Sequence, residues 1–380
     1  MMLLRHLFIL ISEISIKPCN MKMARILLFS YLSLIMLIPV TGQSVQDKPA
    51  DQAKKRHEAF ELFGSNDVLN ISLRFDLATF LKKNLKGKFL DGMLTISTGK
   101  GDSIVKEVWV NTRGVFRLQY CGFPPMELEF KKPFYAYNYS ATIKKLKLAT
   151  QCQASDLFED YIFKEYLVYR IFNQFTDTSY RVRLIKATYI DIKKLKKPVE
   201  QYGFFIEPQG VLADRLNSDV LKNVEITQRN ISQTVMTRMA IFNYMIGNYD
   251  WAVPNQHNVT ILQSKDPDAS QLPVVVPHDF DWTGLVNPIY AIPTENIGIE
   301  SVKDRLFLGI CLSREGFKKE LLKFLPYKQK IYSLINDFEY LNQKSKKEMT
   351  DYLEEFFGSL ESPSKLNLLI DKIMSTCKQI

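Results

Sequence analysis

Residues 247–262, GNYDWAVPNQHNVTIL, and residues 272–286, LPVVVPHDFDWTGLV, decide the fold of this chain. In each stretch, a cluster of acidic and amide residues lies next to a short run of apolar, mostly β-branched residues. Such runs are typical of buried strands, and their order predicts a hairpin with its polar residues at one end. We therefore expect the side chains of Asp250, Asn258 and Asp279 to converge.

Carboxylates and an amide in this order meet the requirements of phosphoryl transfer, which needs a carboxylate against the acceptor hydroxyl and oxygen ligands for Mg²⁺. We assign Asp250 as the catalytic residue, and Asn258 and Asp279 as metal ligands. Asp281 joins them because residues two apart on a strand point to the same face. Asn255 is the alternative amide, since it follows Asp250 by five residues, as in the usual kinase loop.

The residues before this hairpin predict a β-rich region containing one long helix. Residues 156–175, DLFEDYIFKEYLVYRIFNQF, have the apolar periodicity of an amphipathic helix. Short runs of alternating or β-branched residues predict strands at residues 94–98, 105–111, 114–120 and 126–130, then within SYRVRLIKATYID and in QYGFFIEP, which ends at Pro208.

The residues that flank and follow the hairpin predict helices. One runs from Ser232 to Ile246, and helical patterns dominate from Arg314 onward. The fold class is therefore α+β. We expect a divergent protein-kinase-like two-lobed fold, with a mixed-sheet N-lobe and its one long helix over residues 68–208. A mainly helical C-lobe would follow over residues 209–380.

Five segments resemble the CotH family of spore-coat kinases and their Gram-negative relatives: KLKLATQC, KEYLVYRIFNQFTDTSYRVRLIKATY, YGFFIEP, GNYDWAVPNQHN and PHDFDWTG. The similarity runs from about residue 105 to the C-terminus. It implies an exported atypical kinase that phosphorylates protein serine. It also implies that Asp250 is the catalytic aspartate, that Asp279 is a metal ligand, and that Glu207 lies near the nucleotide base.

The sequence departs from the usual kinase motifs in several places. It has no HRD, no glycine after HDFD and no GxGxxG loop, and Trp251 follows the catalytic aspartate. For the nucleotide-binding lysine we choose Lys147, because a strand lysine paired with a helix glutamate is expected and Glu165 lies on the long helix. Lys145 and Lys131 compete with Lys147 for this role.

The N-terminus predicts export. In residues 21–44, MKMARILLFSYLSLIMLIPVTGQS, a basic start precedes an apolar run and small residues. This pattern is that of a secretory signal peptide, so we expect residues 1–42 to be an upstream segment and signal, with translation starting at Met21 or Met23. A mobile leader, residues 43–67, would follow. We expect a periplasmic, cell-surface or extracellular protein without an integral membrane domain after cleavage.

Charge and cysteine content are consistent with an exported protein. The formal charge is +9, but the lysines lie in short scattered pairs, so we expect a solvated surface and no nucleic-acid partner. Four cysteines follow the signal, an even number that suits an oxidising compartment. Cys121 with Cys152 and Cys311 with Cys377 would each stay within one half of the chain, although the sequence leaves three pairings open.

Two function classes follow from these patterns. The first is an exported kinase that transfers the γ-phosphoryl group of ATP to a serine or threonine of a protein substrate, with Mg²⁺ or Mn²⁺. The second is a pseudokinase or surface-binding scaffold with the same fold. Simpler interpretations stay open: Asp250 as a turn residue, HDFD as a calcium-type loop, and His257 and His278 as zinc ligands without a typical spacing.

Overall fold

The computed structural model describes residues 62–82, 85, 88–97, 103–135, 142–266 and 272–379, all within the compact unit Lys54–Ile380. The predicted signal peptide, residues 1–42, lies outside the described residues, as does most of the predicted leader. Leu62 and Phe63, near the end of that leader, are buried in a hydrophobic core.

Seven strands form a closed barrel, in the order β1-β2-β3-β4-β5-β7-β6. They are β1 (Leu69–Phe75), β2 (Leu90–Ser97), β3 (Ser103–Thr112), β4 (Met126–Tyr135), β5 (Thr142–Thr150), β6 (Val182–Asp191) and β7 (Val199–Ile206). Neighbouring strands are antiparallel except β1 and β6, which pair in parallel with Leu69 opposite Ile185 and so close the barrel.

Alternation of side chains explains how the strands fill the barrel. In β1, LNISLRF, every second residue from Leu69 to Phe75 is buried, as expected when successive side chains point to opposite faces. Phe130 and Phe205 are also buried in this core. Full burial of each such ring contributes about 1.5–3 kcal/mol to stability.

Nine α-helices lie among the described residues. They are α1 (Leu77–Leu81), α2 (Phe116–Tyr120), α3 (Asp156–Phe175), α4 (Gln209–Arg215), α5 (Gln233–Ile246), α6 (Arg314–Leu322), α7 (Lys328–Asn336), α8 (Gln343–Leu360) and α9 (Pro363–Thr376). The long helix predicted over residues 156–175 is confirmed as α3. It packs against β6 and β7 on one side and α7 on another, so it joins the barrel to the helical part of the chain.

The α+β class is therefore confirmed, but the sheet is a closed barrel where the sequence suggested a mixed-sheet lobe. Closure depends on the parallel contact between β1 and β6, whose partners lie more than a hundred residues apart in the chain. With the sheet closed on itself, the two lobes of a kinase are not clearly separated.

The strand predicted at residues 114–120 is wrong, because Phe116–Tyr120 form helix α2. Two contacts hold this short helix in place. Cys121, directly after it, forms a disulfide with Cys152, and Arg117 Nη2 donates to the Thr150 carbonyl oxygen at 2.6 Å. Tertiary contacts therefore outweigh the β-type composition of the segment.

A second, three-stranded sheet has the order β10-β9-β8, with β8 (Ser218–Leu221), β9 (Val259–Ser264) and β10 (Val274–Pro277). Strands β9 and β10 are antiparallel, so the predicted hairpin is confirmed. Pro277 lies opposite Val259, and the His278 N–H donates to the Asn258 carbonyl oxygen at 2.9 Å. The two polar clusters therefore meet at one end of the hairpin.

Helix α3 and the helices from α5 to α9 share one large core with this small sheet, whereas α1 packs in the barrel core. A second disulfide joins Cys311, before α6, to Cys377, after α9. Both disulfides match the pairing that keeps each bridge within one half of the chain. In the part of the chain that the structure describes, no helix has the length and apolar character required to cross a membrane.

Candidate active site

Asp250 lies in a turn that follows α5 and is fixed by side-chain hydrogen bonds. Gly247 ends the helix with a left-handed φ of 67°, a conformation that glycine adopts without steric cost. Buried Asn248 then braces the turn: its Nδ2 donates to Asn243 Oδ1, and its Oδ1 accepts from the Asp250 N–H, both at 2.9 Å. The backbone of Asp250 is thereby held in place relative to α5.

Both oxygens of the Asp250 carboxylate are hydrogen-bonded. Oδ1 lies 2.7 Å from His257 Nε2, and Oδ2 accepts from Asn258 Nδ2 at 2.9 Å. Asn258 Nδ2 also donates to the Asp250 carbonyl oxygen at 2.8 Å. These bonds restrict the carboxylate to one orientation, and its side chain is still 35% exposed, so an acceptor group can reach it.

Asn258 lies beside Asp250, whereas Asn255 does not contact the carboxylate. Asn258 has a left-handed φ of 52°, which asparagine tolerates better than most residues. Both of its hydrogen bonds to Asp250 come from Nδ2, which leaves its Oδ1 as a candidate metal ligand. Asn255 is exposed, and its Oδ1 accepts from the His257 N–H at 3.3 Å. The geometry therefore favours Asn258 over Asn255 as the amide of the site.

Asp279 and Asp281 follow the end of β10 and do not lie on a strand. Asp279 has a φ of 64°, and its N–H donates to the Tyr169 hydroxyl of α3 at 2.8 Å. The argument that strand alternation directs the two carboxylates to one face was therefore wrong. They nevertheless line the same cavity, together with Asp250.

Two adjoining cavities contain the predicted site residues. The basic cavity, about 370 Å³, is lined by residues of β5, by the end of β7 and by the basic side chains of Arg113, Lys144, Lys145, Lys147 and Lys222. The acidic cavity, about 340 Å³, is lined by Asp250, His257, Asn258, Asp279, Asp281 and Arg117, among others. Arg113 and Asp279 line both cavities.

Charges in the acidic cavity act strongly on one another. Burial raises the pKa of Asp281 to about 7, and the negative charge of Asp279 adds to this effect. Burial would also raise the pKa of Asp279, but nearby positive charges, above all that of Arg113, lower it below its ordinary value. Asp279 is thus the carboxylate that stays ionised, while Asp281 gains and loses its proton around neutral pH.

Among the described residues, no ion pair joins Lys147 to Glu165, so the predicted lysine–glutamate pair is wrong. Buried Glu165 instead lies 3.8 Å from Nη1 of Arg117, which also lies 3.9 Å from Asp281. Lys147 is exposed in the basic cavity, opposite Glu127 on β4. Partial burial lowers its pKa, and the positive charge of Arg113 lowers it further.

The competing lysines have carboxylate partners on the barrel. Lys145 Nζ lies 2.9 Å from Glu127, and Lys131 Nζ lies 2.6 Å from Asp91. Lys147 is therefore the candidate of the three without such a partner among the described residues, which favours it for binding a ligand anion.

Glu207 is not available to contact a nucleotide through its side chain. Its carboxylate is fully buried and binds two arginines, Arg181 at 2.8 Å and Arg215 at 2.9 Å. Glu207 borders the basic cavity. The prediction that it lies near the nucleotide base can therefore apply to its backbone alone. Its side chain has a structural role.

Sequence reasoning missed Arg113 and Arg117. Arg113 lies directly before the segment that was assigned to a strand, and Arg117 lies within it. Because Arg113 precedes helix α2 and Arg117 lies in it, no periodicity of the sequence marks the two arginines as neighbours of the carboxylates. His257 was considered only as a metal ligand, whereas it orients Asp250.

A divalent cation would find oxygen ligands here, but not a preformed cluster. In the described ranges, no group of three or more His, Cys, Asp and Glu side chains has the geometry to hold a metal ion. The predicted set combines the carboxylates of Asp279 and Asp281 with the Oδ1 of Asn258, all facing the acidic cavity. Carboxylate and amide oxygens suit Mg²⁺ or Mn²⁺, and Mg²⁺ commonly needs only one or two carboxylates plus substrate phosphates.

No protein-family model matches the sequence, and no curated protein matches it significantly. Among solved structures, the chain is similar to the crystal structure of the proinflammatory kinase CtkA from Helicobacter pylori, with 12% identity and a TM-score of 0.34. The similarity covers 67% of this chain and 91% of that one. At this TM-score the similarity carries no argument about the activity of the chain.

Proposed function

We propose that this chain is an exported, divergent kinase-like protein that transfers the γ-phosphoryl group of ATP to a serine or threonine hydroxyl of a protein, with Mg²⁺ or Mn²⁺. The observation that carries this proposal is the pair of adjoining cavities. One is basic and suits a polyphosphate, the other contains a hydrogen-bonded aspartate, and Asp279 lines both.

The basic cavity provides the nucleotide site in this proposal. Its volume falls in the range of small-molecule sites, about 300–1,000 Å³. Lys147 would bind a phosphate as a point charge, while the chain around Pro208, after β7, would border the base. The lowered pKa of Lys147 is consistent with a cation held in a partly dry cavity, where its interaction with a phosphate is strengthened.

The acidic cavity provides the acceptor site. Asp250 would accept the proton of the acceptor hydroxyl, and His257 and Asn258 would hold its carboxylate in the orientation that this transfer requires. The hydroxyl oxygen then bonds to the γ-phosphorus, the bond from that phosphorus to the β–γ bridging oxygen breaks, and ADP leaves with the electron pair. Asn258, Asp279 and Asp281 would hold the divalent cation, which neutralises phosphate charge when bound.

Both disulfides support the exported part of the proposal. Cys121–Cys152 and Cys311–Cys377 suit an oxidising compartment, because thiols are kept reduced in most cytosols. Together with the predicted signal, residues 1–42, they favour a periplasmic, cell-surface or extracellular location.

A scaffold that binds nucleotide but transfers phosphate poorly is the second candidate. The observation in its favour is the missing lysine–glutamate pair, since Glu165 lies beside Arg117 and not beside Lys147. In active kinases such a pair orients the lysine toward the phosphates.

Nucleotide binding can be tested by thermal unfolding of the purified protein with ATP, with and without Mg²⁺ or Mn²⁺. A ligand at 100 times its Kd stabilises the native state by about 2.7 kcal/mol. We expect this stabilisation to require the cation and to be lost in Asp279→Asn, which keeps the shape and tolerates the positive φ. Asp219→Asn, an exposed carboxylate on β8, is the matched control. No shift in the wild-type protein would refute nucleotide binding.

Phosphoryl transfer separates the two candidates. We expect Asp250→Asn to keep the cation-dependent thermal shift and to reduce transfer from radiolabelled ATP to a protein acceptor by about 10²–10⁴-fold. If the wild-type protein binds ATP yet labels neither itself nor added proteins above the level of Asp250→Asn, the scaffold interpretation holds.

A further inference from the structure

Arg113 is a partly buried cation whose guanidinium has no bonding partner among the described residues. It directly follows β3, and its N–H donates to the Pro125 carbonyl oxygen at 2.9 Å. Its side-chain Nε is buried without a hydrogen bond, and in the described part of the chain no ion pair or hydrogen bond engages the guanidinium. A buried donor left unsatisfied is costly, and in native proteins such a group is explained by an ordered water, a bound ion or ligand, strain or a catalytic role.

Arg117, four residues later, differs from Arg113 in its charged and backbone partners, although its Nε, like that of Arg113, is buried without a hydrogen bond. It donates to the Thr150 carbonyl oxygen at 2.6 Å and lies within 4 Å of both Glu165 and Asp281. Arg117 is thus used to neutralise buried carboxylates. Arg113 has no such task, although its positive charge acts on Asp279 more strongly than that of any other cation.

The position of Arg113 relates it to both substrates of the proposed reaction. Among the described residues, Arg113 and Asp279 are the two that line both the basic and the acidic cavity. Lys147 lines the basic cavity alone, and Asp250 lines the acidic cavity alone. A group that passes from a nucleotide in one cavity to a hydroxyl in the other must therefore pass Arg113.

We propose that Arg113 binds the γ-phosphoryl group while it is transferred, a role that rests on the proposed function. Its planar fork of N–H donors matches phosphate oxygens in a way that a lysine does not. As the γ-phosphorus exchanges the β–γ bridging oxygen of ATP for the acceptor oxygen, negative charge is spread over its three equatorial oxygens. Arg113 donates hydrogen bonds to those oxygens, while the acceptor proton moves to Asp250.

The test compares nucleotides with and without a γ-phosphate, so that binding is measured apart from activity. In the presence of Mg²⁺, we expect the wild-type protein to be stabilised more by a non-hydrolysable ATP analogue than by ADP. Arg113→Met should lose this difference and keep its response to ADP. It should also reduce the transfer rate by about 10²–10³-fold, the usual effect of removing one preorganised donor.

Two variants accompany this measurement. Arg113→Lys keeps the positive charge without the fork, and we expect it to recover part of the preference for the analogue and little of the rate. Arg74→Met, at an exposed arginine of β1, is the matched control and should behave as wild type.

The outcomes distinguish the two proposals. If Arg113→Met and Arg113→Lys retain the wild-type difference between analogue and ADP, and the wild-type transfer rate, the role of Arg113 is refuted while the kinase proposal stands. If the wild-type protein responds to neither nucleotide, the proposed function and this inference both fail.

Discussion

Glu207 offers a test of whether its side chain is structural, as the geometry indicates, or contacts the nucleotide, as the sequence suggested. The carboxylate is fully buried and accepts hydrogen bonds from the Arg181 N–H, Nε and Nη2 and from the Arg215 Nε and Nη2. Glu207→Gln would leave the two guanidinium groups without their shared negative charge.

Removing one partner of a buried ion pair costs about 3–5 kcal/mol. The side chains of Arg181 and Arg215 remain 25% and 13% exposed, so water can partly replace the lost interactions of their guanidinium groups. We therefore expect the lower end, a loss of about 3 kcal/mol in the free energy of unfolding. That is a large share of a typical total of about 5–15 kcal/mol.

Urea unfolding followed by circular dichroism, with the disulfides intact, measures this loss. Glu200→Gln is the matched control, because Glu200 lies on the same strand, β7, and forms an exposed pair with Lys186 at 3.9 Å. We expect the control to change stability by less than about 1 kcal/mol. A Glu207→Gln variant within that margin of wild type, or one that is fully stable but no longer binds nucleotide, would refute the structural role.

The remaining predictions concern acid stability, a disulfide and Arg117. Burial would raise the pKa of Asp191, but hydrogen bonds from backbone N–H groups outweigh it and lower the pKa. Its stabilising effect is therefore present above about pH 4 and lost as the pH falls below that value. In Asp191→Asn, the free energy of unfolding should therefore fall less steeply than in the wild-type protein as the pH is lowered below about 4. Replacing Cys121 and Cys152 by serine should reduce the free energy of unfolding by about 2–4 kcal/mol in urea titrations, and an unchanged midpoint would contradict this. Arg117→Met should lower the free energy of unfolding by about 3–5 kcal/mol. The loss should be smaller at pH 5 than at pH 8, because the carboxylates that Arg117 neutralises take up protons at the lower pH. Equal losses at both pH values would contradict the role of Arg117 in neutralising these carboxylates.

The sequence predicted the elements whose signals are local. Helix α3 has its predicted bounds because its apolar residues repeat with a helical period over twenty residues. The hairpin of β9 and β10 was predicted because two apolar runs are separated by a short polar segment. In contrast, α2 is five residues long, too short for periodicity to separate it from a strand.

Closure of the barrel depends on contacts between distant residues that the sequence pattern does not predict. Strand β6 was predicted from its residues and β1 was not, and their parallel pairing joins Leu69 to Ile185 across most of the barrel sequence. A pattern of alternating residues specifies which face is buried, not which strand lies alongside. The mixed sheet expected from the sequence and the observed barrel thus share β2, β3, β4, β6 and β7, whereas strand β1 and the order of the strands were not predicted.

The same distinction applies to the site. Asp250, Asn258 and Asp279 were recognised because their residue types and order are those of phosphoryl-transfer sites, and the hairpin brings them together. Arg113 and Arg117 were not, because an arginine is informative only once its partners are known. In sequence they are equivalent, whereas in the structure Arg117 lies within 4 Å of two carboxylates and the guanidinium of Arg113 pairs with no carboxylate of the described residues.

Backbone conformation explains why the site forms although the strand argument for it failed. Asn258 and Asp279 both have positive φ, at 52° and 64°, and both flank the hairpin of β9 and β10. For residues other than glycine this conformation is costly, and Asn and Asp adopt it most readily. Such outliers concentrate at functional sites because surrounding contacts hold them in place. Here the Asp250 carboxylate holds Asn258 and the Tyr169 hydroxyl holds Asp279, so each left-handed residue is fixed by another part of the cavity that it helps to form.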